Sequence, residues 1–284
     1  MITPFQAVIL GLVQGITELF PISSLGHSVL LPGLLGWNFD QNAEYFLTFL
    51  VATHFATALV LFIFYWRDWR RIIIGMLRSL KTRQIGPSDP DAKLGWLLVV
   101  GTVPVGIVGL LFKDQLRALF VSPRSVAIFL VLNGLMLYGA EIMRRRAGTR
   151  QDGDSDQRLA ALLSWKASVK IGLLQVIALL PGFSRTGSTI SGGLLVGLSH
   201  EDALRYSLLL ATPVIAAAAA LQLPELFAAG SQAAGTALLG SITAAIGAYL
   251  SVKFLTRYFK SKRLTPFAIY CVALGLLSLG MIVR

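Results

Sequence analysis

Residues 14–27 read QGITELFPISSLGH, and residues 181–189 read PGFSRTGST. Both stretches lie inside long apolar sequence, so each is expected to sit within a lipid bilayer. The polar side chains that they bring to membrane depth are Gln14, Glu18, Ser23, Ser24, His27, Ser184, Arg185, Ser188 and Thr189. An ionised Glu or Arg at the bilayer centre costs about 2.5–3.5 kcal/mol on insertion scales. We therefore expect these charges to be paired, hydrated in a cavity or used in function.

The composition favours a membrane protein over a soluble enzyme. Of the 284 residues, 55% are apolar and only 14% are charged, and the apolar residues form long blocks between short charged stretches. This pattern predicts an all-α polytopic membrane protein. The single cysteine, Cys271, excludes a framework of disulfides or of several metal-binding cysteines.

The net charge of +11 is unevenly distributed. Lys and Arg are concentrated in residues 67–93, 143–166 and 257–263, whereas residues 1–45 and 224–235 contain none. This is the positive-inside bias of membrane proteins, strengthened by anionic cytoplasmic lipids, and it argues against a nucleic-acid partner. The three basic stretches, including a loop over 67–93, are assigned to the cytoplasm.

Six apolar blocks are long enough to span a membrane, namely 46–66, 94–113, 124–142, 205–223, 236–256 and 265–283. Two further regions, 5–36 and 166–199, are interrupted at Pro21 and at Pro181. Each half of these regions has about 12–16 residues, too few to cross a hydrocarbon core of about 30 Å. We expect each region to form a re-entrant helical hairpin, which enters and leaves the membrane on one side.

The two hairpins resemble each other in sequence. Gly11 and Gln14 precede Gly172 and Gln175 by 161 positions, and Pro21 precedes Pro181 by 160. The chain is therefore expected to form a single integral membrane domain made of two repeats, 1–142 and 166–284, joined by a cytoplasmic linker, 143–165. Each repeat has one hairpin and three spans, so the second is inverted, and the hairpin tips should meet near the midplane.

The spacing of polar residues predicts the chemistry of the first tip. Gln14 and Glu18 share one helix face, and Pro21 ends that helix. Ser23 or Ser24 can cap the next helix. Ser24 lies one helical turn before His27, an arrangement compatible with a nucleophile and its base.

The second tip predicts an anion site. Ser184 is the expected helix cap, and Arg185 follows it directly. Helix N-termini and an Arg fork bind phosphate, while Glu18 and Gln14 supply oxygen atoms for Mg²⁺ or Ca²⁺. Other interpretations remain: Glu18 could simply pair with Arg185, and Ser and Thr could hydrogen-bond neighbouring helices. For His54, a buried and satisfied histidine is favoured over a ligand, although the residue could line the cavity.

The two stretches resemble the undecaprenyl-diphosphate phosphatases, the bacitracin-resistance family of bacterial inner-membrane enzymes. The family pattern is Glu/Gln-x-x-x-Glu, then Pro-x-Ser-Ser-x-Gly-His, then Pro-Gly-x-Ser-Arg-Ser-x-x-Thr. The matching residues here are Gln14, Glu18, Ser24, His27, Ser184, Arg185 and Thr189. Gln14 stands where many members carry Glu, which weakens its assignment as an anionic metal ligand, and Thr186 replaces the usual Ser.

The resemblance implies hydrolysis of undecaprenyl diphosphate to the monophosphate and phosphate, with a divalent cation and an active site open to the periplasm. It implies catalytic roles for Glu18, Ser24, His27 and Arg185, with Ser23, Ser184, Ser188 and Thr189 near the phosphates. It leaves open whether Ser24, His27 or water is the nucleophile. The sequence is compatible with a homodimer but does not determine the oligomeric state.

Two other functions fit parts of the pattern. A polyprenyl-lipid flippase or secondary transporter would also use inverted repeats and broken helices around a midplane anion site. A lipid phosphatase of the class with a Ser-Arg-x-x-x-x-x-His motif is disfavoured, because no His lies six residues after Arg185.

Overall fold

The computed structural model describes residues 2–37, 39–41, 43–86, 89–112, 115–116, 122–147, 159–160, 162–228 and 231–282. In these ranges the chain is helical and contains no β-strand. The helices are α1 (Pro4–Leu19), α2 (Ser24–Leu34), α3 (Glu44–Phe64), α4 (Trp66–Thr82), α5 (Pro90–Leu111), α6 (Pro123–Ala147), α7 (Trp165–Val176), α8 (Arg185–Leu195), α9 (His200–Ala228), α10 (Ser231–Tyr258) and α11 (Thr265–Ile282).

Helices α1 and α2 are the two halves of the first predicted hairpin. Thr3 caps α1 through a capping box with Gln6, and the helix ends one residue before Phe20, whose backbone is extended ahead of Pro21. At 1.5 Å per residue, the 16 residues of α1 extend about 24 Å, which is less than the hydrocarbon thickness. The predicted break at Pro21 is confirmed.

Helices α7 and α8 are the halves of the second predicted hairpin. Ser164 caps α7, which continues as a 3₁₀ turn over Ile177–Leu179, and Ser184 caps α8. Between them Gly182 adopts φ = 112°, and a Cβ there would lie 2.4 Å from the carbonyl oxygen of Val126. Only glycine fits this turn, so the break predicted at Pro181 is confirmed.

Within the described residues, five helices are long and apolar enough to cross a membrane: Tyr45–Phe64, Pro90–Leu111, Pro123–Arg144, Ala234–Tyr258 and Thr265–Ile282. They correspond to five of the six predicted spans. The remaining block, 205–223, lies within the continuous helix α9, several of whose side chains fall outside the described part. Most of the predicted linker, 148–158 together with 161, also lies outside it.

The prediction of a loop over 67–93 is wrong, because most of this stretch forms helix α4. One face of α4 packs against α5, with a Cβ on Gly75 falling 2.7 Å from the backbone nitrogen of Ala92. The outer face exposes apolar side chains such as Leu77 and Leu80 beside the cationic residues of the same helix. An apolar stripe edged by Lys and Arg is typical of a helix lying in a membrane interface.

Small residues let the hairpins pack closely on distant helices. Helix α1 packs on α10, where a Cβ on Gly11 would lie 2.3 Å from the carbonyl oxygen of Gly240. Helix α7 packs on α5, where a Cβ on Gly172 would lie 2.4 Å from the carbonyl oxygen of Gly101. Helix α3 packs on α9, and α6 packs on α11. These contacts hold the two broken segments inside the bundle.

Candidate active site

The buried carboxylate of Glu18 is the centre of the candidate site. Glu18 occupies the last turn of α1 and is 8% exposed. Its Oε2 accepts hydrogen bonds from Ser24 Oγ at 2.5 Å and from Gln14 Nε2 at 3.1 Å. The Gln14 contact confirms the predicted shared face. Because the chain break at Pro21 folds α2 back onto α1, Ser24 reaches a residue six positions earlier.

The second hairpin delivers a cation to the same carboxylate. Arg185 Nη2 donates to Glu18 Oε1 at 2.8 Å, although the two residues are 167 positions apart. Thr186, the next residue, donates its hydroxyl to the backbone oxygen of Glu18 at 3.0 Å. The pairing of Glu18 with Arg185 is therefore observed. Arg185 Nη1 is buried without a hydrogen-bond partner among the described residues, so it remains available for an anionic ligand.

His54 contacts Glu18 directly, whereas the sequence favoured a buried histidine with no role in the site. Its Nε2 lies 3.3 Å from Glu18 Oε2, and its Nδ1 is 2.7 Å from the carbonyl oxygen of Leu50. Since a carbonyl oxygen can only accept, Nδ1 carries the hydrogen of that bond. A proton on Nε2 would then make His54 an imidazolium that donates to Glu18. The position of His54 in the middle of an apolar block was the only sequence signal for this contact.

His27 makes no hydrogen bond to Ser24 in this structure, so the predicted nucleophile and base pair is not assembled here. Its Nδ1 donates to the carbonyl oxygen of Ser23 at 2.7 Å, and its Nε2 lies 2.7 Å from the hydroxyl of Tyr270. The neutral imidazole then accepts a hydrogen bond from Tyr270, whose ring stacks on it with centroids 5.6 Å apart. The hydroxyl of Ser24 donates to Glu18 instead, because Ser24 is the first residue of α2 and lies against the end of α1.

Two helix N-termini meet at the site, as predicted. Ser23 caps α2 by accepting from Gly26 N at 3.2 Å, and Ser184 caps α8 by accepting from Gly187 N at 3.0 Å. A Cβ on Gly26 would lie 3.7 Å from the Cα of Gly182, so the two turns are in contact. Ser23 has φ = 68°, a conformation that costs a non-glycine residue about 1–3 kcal/mol. The surrounding contacts hold this strained residue at the point where an anion would bind.

Asn133 of α6 joins the two tips and was missed by the sequence analysis. Its side-chain amide donates to the carbonyl oxygen of Pro21 at 3.1 Å and accepts from the backbone N–H of Ser184 at 3.0 Å. It is fully buried. A single asparagine in an apolar block carries no sequence signal of such a role. By pairing backbone groups that the breaks leave exposed, Asn133 fixes one tip against the other.

Ser188 and Thr189 lie where α8 packs against neighbouring helices. Thr189 Oγ1 is 2.5 Å from Ser207 Oγ of α9 and donates to the carbonyl oxygen of Arg185 at 2.9 Å. Ser188 Oγ contacts the sulfur of Met136 at 3.9 Å. Both hydroxyls therefore contact their own helix or a neighbouring one, and neither hydrogen-bonds to Glu18.

The donor set at Glu18 fits a divalent cation that is held together with a phosphate ligand. Gln14 Oε1 is buried and has no hydrogen-bond partner in the described part of the chain. It belongs to the side chain that contacts Glu18, so an amide oxygen and a carboxylate lie together. Among the described residues no three His, Cys, Asp or Glu side chains form a metal site. Mg²⁺ in proteins commonly uses one or two carboxylates together with substrate phosphates.

A family comparison agrees with this geometry. The family model described as bacitracin resistance protein BacA matches residues 7–277. The chain belongs to this family. The match includes both helix breaks and every residue that contacts Glu18. The family resemblance expected from the two motifs is confirmed.

Relatives in this family carry names that state an activity. The chain is 48% identical to the undecaprenyl-diphosphatase of Mycolicibacterium paratuberculosis, over 95% of this chain and 94% of that protein. It is 43% identical to undecaprenyl-diphosphatase 2 of Frankia alni, over 97% of both chains. It is 44% identical to the undecaprenyl-diphosphatase of Acidiphilium cryptum, over 99% of this chain and 98% of that protein. The similarity extends over nearly the full length of each relative.

Proposed function

We propose that this member of the BacA family hydrolyses undecaprenyl diphosphate to undecaprenyl phosphate and inorganic phosphate. The observation that carries the proposal is the buried Glu18 carboxylate, which contacts a serine hydroxyl and an arginine where two helix N-termini meet. The activity recycles the lipid carrier of peptidoglycan and other cell-wall polymers, and it confers resistance to bacitracin. The names of the relatives support hydrolysis over lipid transport.

The diphosphate binds at the meeting point of the two tips. Arg185 Nη1 points a donor at the anion, and the first-turn N–H groups of α2 and α8 add the positive ends of two helix dipoles. These donors are in place before the substrate arrives, so they stabilise the charge that develops on the phosphoryl oxygens. The polyprenyl tail extends along the apolar outer surfaces of the helices, within membrane lipid.

Ser24 is the nucleophile in the mechanism that this geometry favours. Its Oγ attacks the terminal phosphorus, the bond from that phosphorus to the bridging oxygen breaks, and undecaprenyl phosphate leaves. The Ser24 proton passes to Glu18, since Oγ already donates to its Oε2. Water then attacks the phosphoserine, phosphate is released, and Ser24 Oγ regains a proton.

Two histidines assist from different positions. His54 Nε2 lies beside the carboxylate that receives the proton, so the Glu18 and His54 pair can hold it through the reaction. His27 lies in the first turn of α2, near the proposed phosphate position, and Tyr270 fixes its ring through one hydrogen bond and a stacked contact. The remaining candidate residues of the second tip, Ser188 and Thr189, act by packing α8 on α6 and α9.

The reaction is proposed to use Mg²⁺ or Ca²⁺. Glu18 and Gln14 Oε1 would hold the cation together with the substrate phosphates. The bound cation would neutralise part of the negative charge of the diphosphate. Because Gln14 is neutral, affinity for the cation should depend strongly on the presence of substrate.

The proposed topology has six spans and two re-entrant hairpins, arranged as inverted repeats. Reciprocal contacts between α6 and α11 support a two-fold axis: a Cβ on Gly134 would lie 2.7 Å from Ala268 O, and one on Gly275 would lie 2.8 Å from Ala127 O. Gly275 follows Gly134 by 141 positions, and Ala268 follows Ala127 by the same number. The positive-inside bias orients the first hairpin, and with it the active site, toward the periplasm of a bacterial inner membrane.

The first test is phosphate release from purified protein in detergent. The wild type should release inorganic phosphate from undecaprenyl diphosphate with Mg²⁺ or Ca²⁺ and lose activity with a chelator. Glu18→Gln and Arg185→Ala should each lower kcat/KM by about 100-fold or more, because each removes a charge from a buried catalytic site. Lys170→Ala, which changes an exposed lysine outside the site, should keep wild-type activity.

The outcomes separate the proposal from its alternative. Because detergent leaves no sealed compartment, a flippase or transporter would release no phosphate under these conditions. Folded protein without phosphate release would contradict hydrolysis, and transport in sealed vesicles would then be measured. Release that survives both substitutions would keep the activity but move its chemistry away from Glu18.

A further inference from the structure

A cavity lies away from Glu18, at the end of the bundle where α6 and α10 finish and α9 and α11 begin. Its volume is about 280 Å³, ample for a phosphate group with its ester substituent. The cationic residues in its wall are Arg144, Lys260, Lys262 and Arg263, and the wall also contains His200 and one acidic residue, Glu201. Such an excess of positive charge favours an anionic ligand.

One buried carboxylate holds the walls of this cavity together. Glu141 of α6 is 1% exposed and accepts from His200 Nε2 at 2.8 Å and from the backbone N–H of Leu264 at 3.1 Å. It thereby joins α6 to the start of α9 and to the loop between α10 and α11. His200 also stacks on Phe259, with ring centroids 6.2 Å apart. The cavity is therefore a formed feature of the fold and not a gap between independent loops.

The cations differ in how they are held. Arg144 is 8% exposed and donates from Nε to the carbonyl oxygen of Leu198 at 2.9 Å, which fixes its side chain in the wall. Arg263 Nε lies 3.9 Å from Glu141 Oε1. Among the described residues, the ammonium groups of Lys260 and Lys262 have neither an ion pair nor a hydrogen bond, and both side chains are exposed. These two lysines are free to move onto a ligand at the mouth of the cavity.

From these observations we infer that the cavity is a second binding site for a phosphate group, distinct from the catalytic site. It lies in the basic stretches 143–166 and 257–263, which the charge bias places at the cytoplasmic surface. Basic pockets between transmembrane helices on this side accommodate the head groups of anionic phospholipids. The phosphate can belong to such a lipid or to a soluble phosphate, and the chemistry of recognition is shared.

The first experiment measures lipid retention. Native mass spectrometry would count phosphatidylglycerol molecules that stay bound to the purified protein. The Lys260→Ala/Lys262→Ala variant should retain the lipid about 25-fold less than the wild type, since each of the two lysines at an anionic head group contributes roughly a fivefold factor. The matched control is Lys166→Ala/Lys170→Ala, which removes the same charge from two exposed lysines elsewhere.

A second experiment uses inorganic phosphate and the Arg185→Ala protein, so that the catalytic site does not contribute. Titration calorimetry without anionic lipid would measure binding with and without the Lys260→Ala/Lys262→Ala change. Loss of phosphatidylglycerol alone identifies a lipid site, and loss of phosphate binding identifies a site that also takes soluble phosphate. If the Lys260→Ala/Lys262→Ala change lowers neither the retention of phosphatidylglycerol nor the binding of inorganic phosphate, the inference is overturned.

The inference is independent of the proposed hydrolysis. Neither lysine belongs to the catalytic site, so the Lys260→Ala/Lys262→Ala variant should hydrolyse undecaprenyl diphosphate in neutral detergent at the wild-type rate. Equal loss of lipid retention in the control variant would also overturn the inference, because it would show a general effect of charge.

Discussion

At the residue scale, the proposed function depends on how the charge of Glu18 is stabilised. A carboxylate at membrane depth would be costly alone, but Arg185, Ser24, Gln14 and His54 surround it. The ion pair therefore stabilises the fold, and in the proposed reaction it also holds the carboxylate in place. Breaking such a buried pair from one side leaves an uncompensated charge, typically at a cost of about 3–5 kcal/mol. For this reason Arg185→Ala must be checked for folding before its activity is interpreted.

Tyr270 offers a milder test at the same scale. Tyr270→Phe removes the hydroxyl that bonds to His27 Nε2 and keeps the stacked ring. Since one neutral hydrogen bond contributes about 0.5–1.5 kcal/mol, kcat should fall about two- to tenfold with little change in KM. Steady-state kinetics would measure both constants.

The control for this prediction is Tyr138→Phe, which changes an exposed tyrosine of α6. It should leave kcat and the melting temperature unchanged. A Tyr270→Phe enzyme with wild-type kcat would show that the hydroxyl does not position His27.

At the element scale, glycines determine how the short helix α1 is held. Gly15 lies where α1 crosses α10, and a Cβ there would be 2.0 Å from the carbonyl oxygen of Ala244. Backbone cannot yield as a flexible side chain does, so Gly15→Ala should force the helices apart. We expect a destabilisation of about 1–3 kcal/mol, measured as a lower melting temperature in detergent.

Gly139→Ala is the matched control for the glycine prediction. No atom lies within 4 Å of the position of its Cβ, although Gly139 is also inside a helix. This substitution should be neutral or slightly stabilising, because alanine favours the helix more than glycine does. Equal melting temperatures for the two variants would contradict the role of close packing at Gly15.

Helix α4 shows why a charged stretch should not be equated with a loop. Its cations and its apolar residues alternate with helical period, so one face covers α5 while the other exposes Leu77 and Leu80. The count of charges between spans predicts which stretches face the cytoplasm. The helical spacing of the charged and apolar residues within the stretch additionally indicates that it forms a helix.

At the scale of the whole molecule, the proposed inverted arrangement makes a prediction about accessibility. Leu35 lies at the end of the first hairpin, and Lys260 lies at the mouth of the basic cavity at the other end of the bundle. Both positions are exposed, so a cysteine placed at either one can be labelled. The native Cys271 is buried. An impermeant maleimide should label Leu35→Cys in intact spheroplasts and Lys260→Cys only after lysis. Mass spectrometry would identify the labelled site.

The opposite labelling would reverse the orientation and place the catalytic site toward the cytoplasm. Labelling of both cysteines in intact spheroplasts would contradict the separation of the two ends by the membrane. Either result would leave the contacts around Glu18 unchanged, because those contacts do not depend on which side faces the cell interior.

The sequence by itself determined the features that depend on neighbouring residues. Prolines at 21 and 181 end helices, Ser23 and Ser184 cap the next ones, and the four-residue spacing of Gln14 and Glu18 places both on one face. These effects act within one or two turns, so spacing alone predicts them. The two motifs also predicted the family, since they combine many such constraints in a short stretch.

Only the tertiary structure decided which distant groups meet. His54, Tyr270 and Asn133 reach the two tips from α3, α11 and α6, and nothing in their local sequence specifies the partner. The Ser24 hydroxyl hydrogen-bonds to Glu18 and not to His27, and this choice of partner likewise depends on how α2 folds back against α1. Helix packing fixes these contacts through the shapes of several helices at once. Local spacing therefore placed the candidate catalytic groups on their helices, and packing between helices selected their partners.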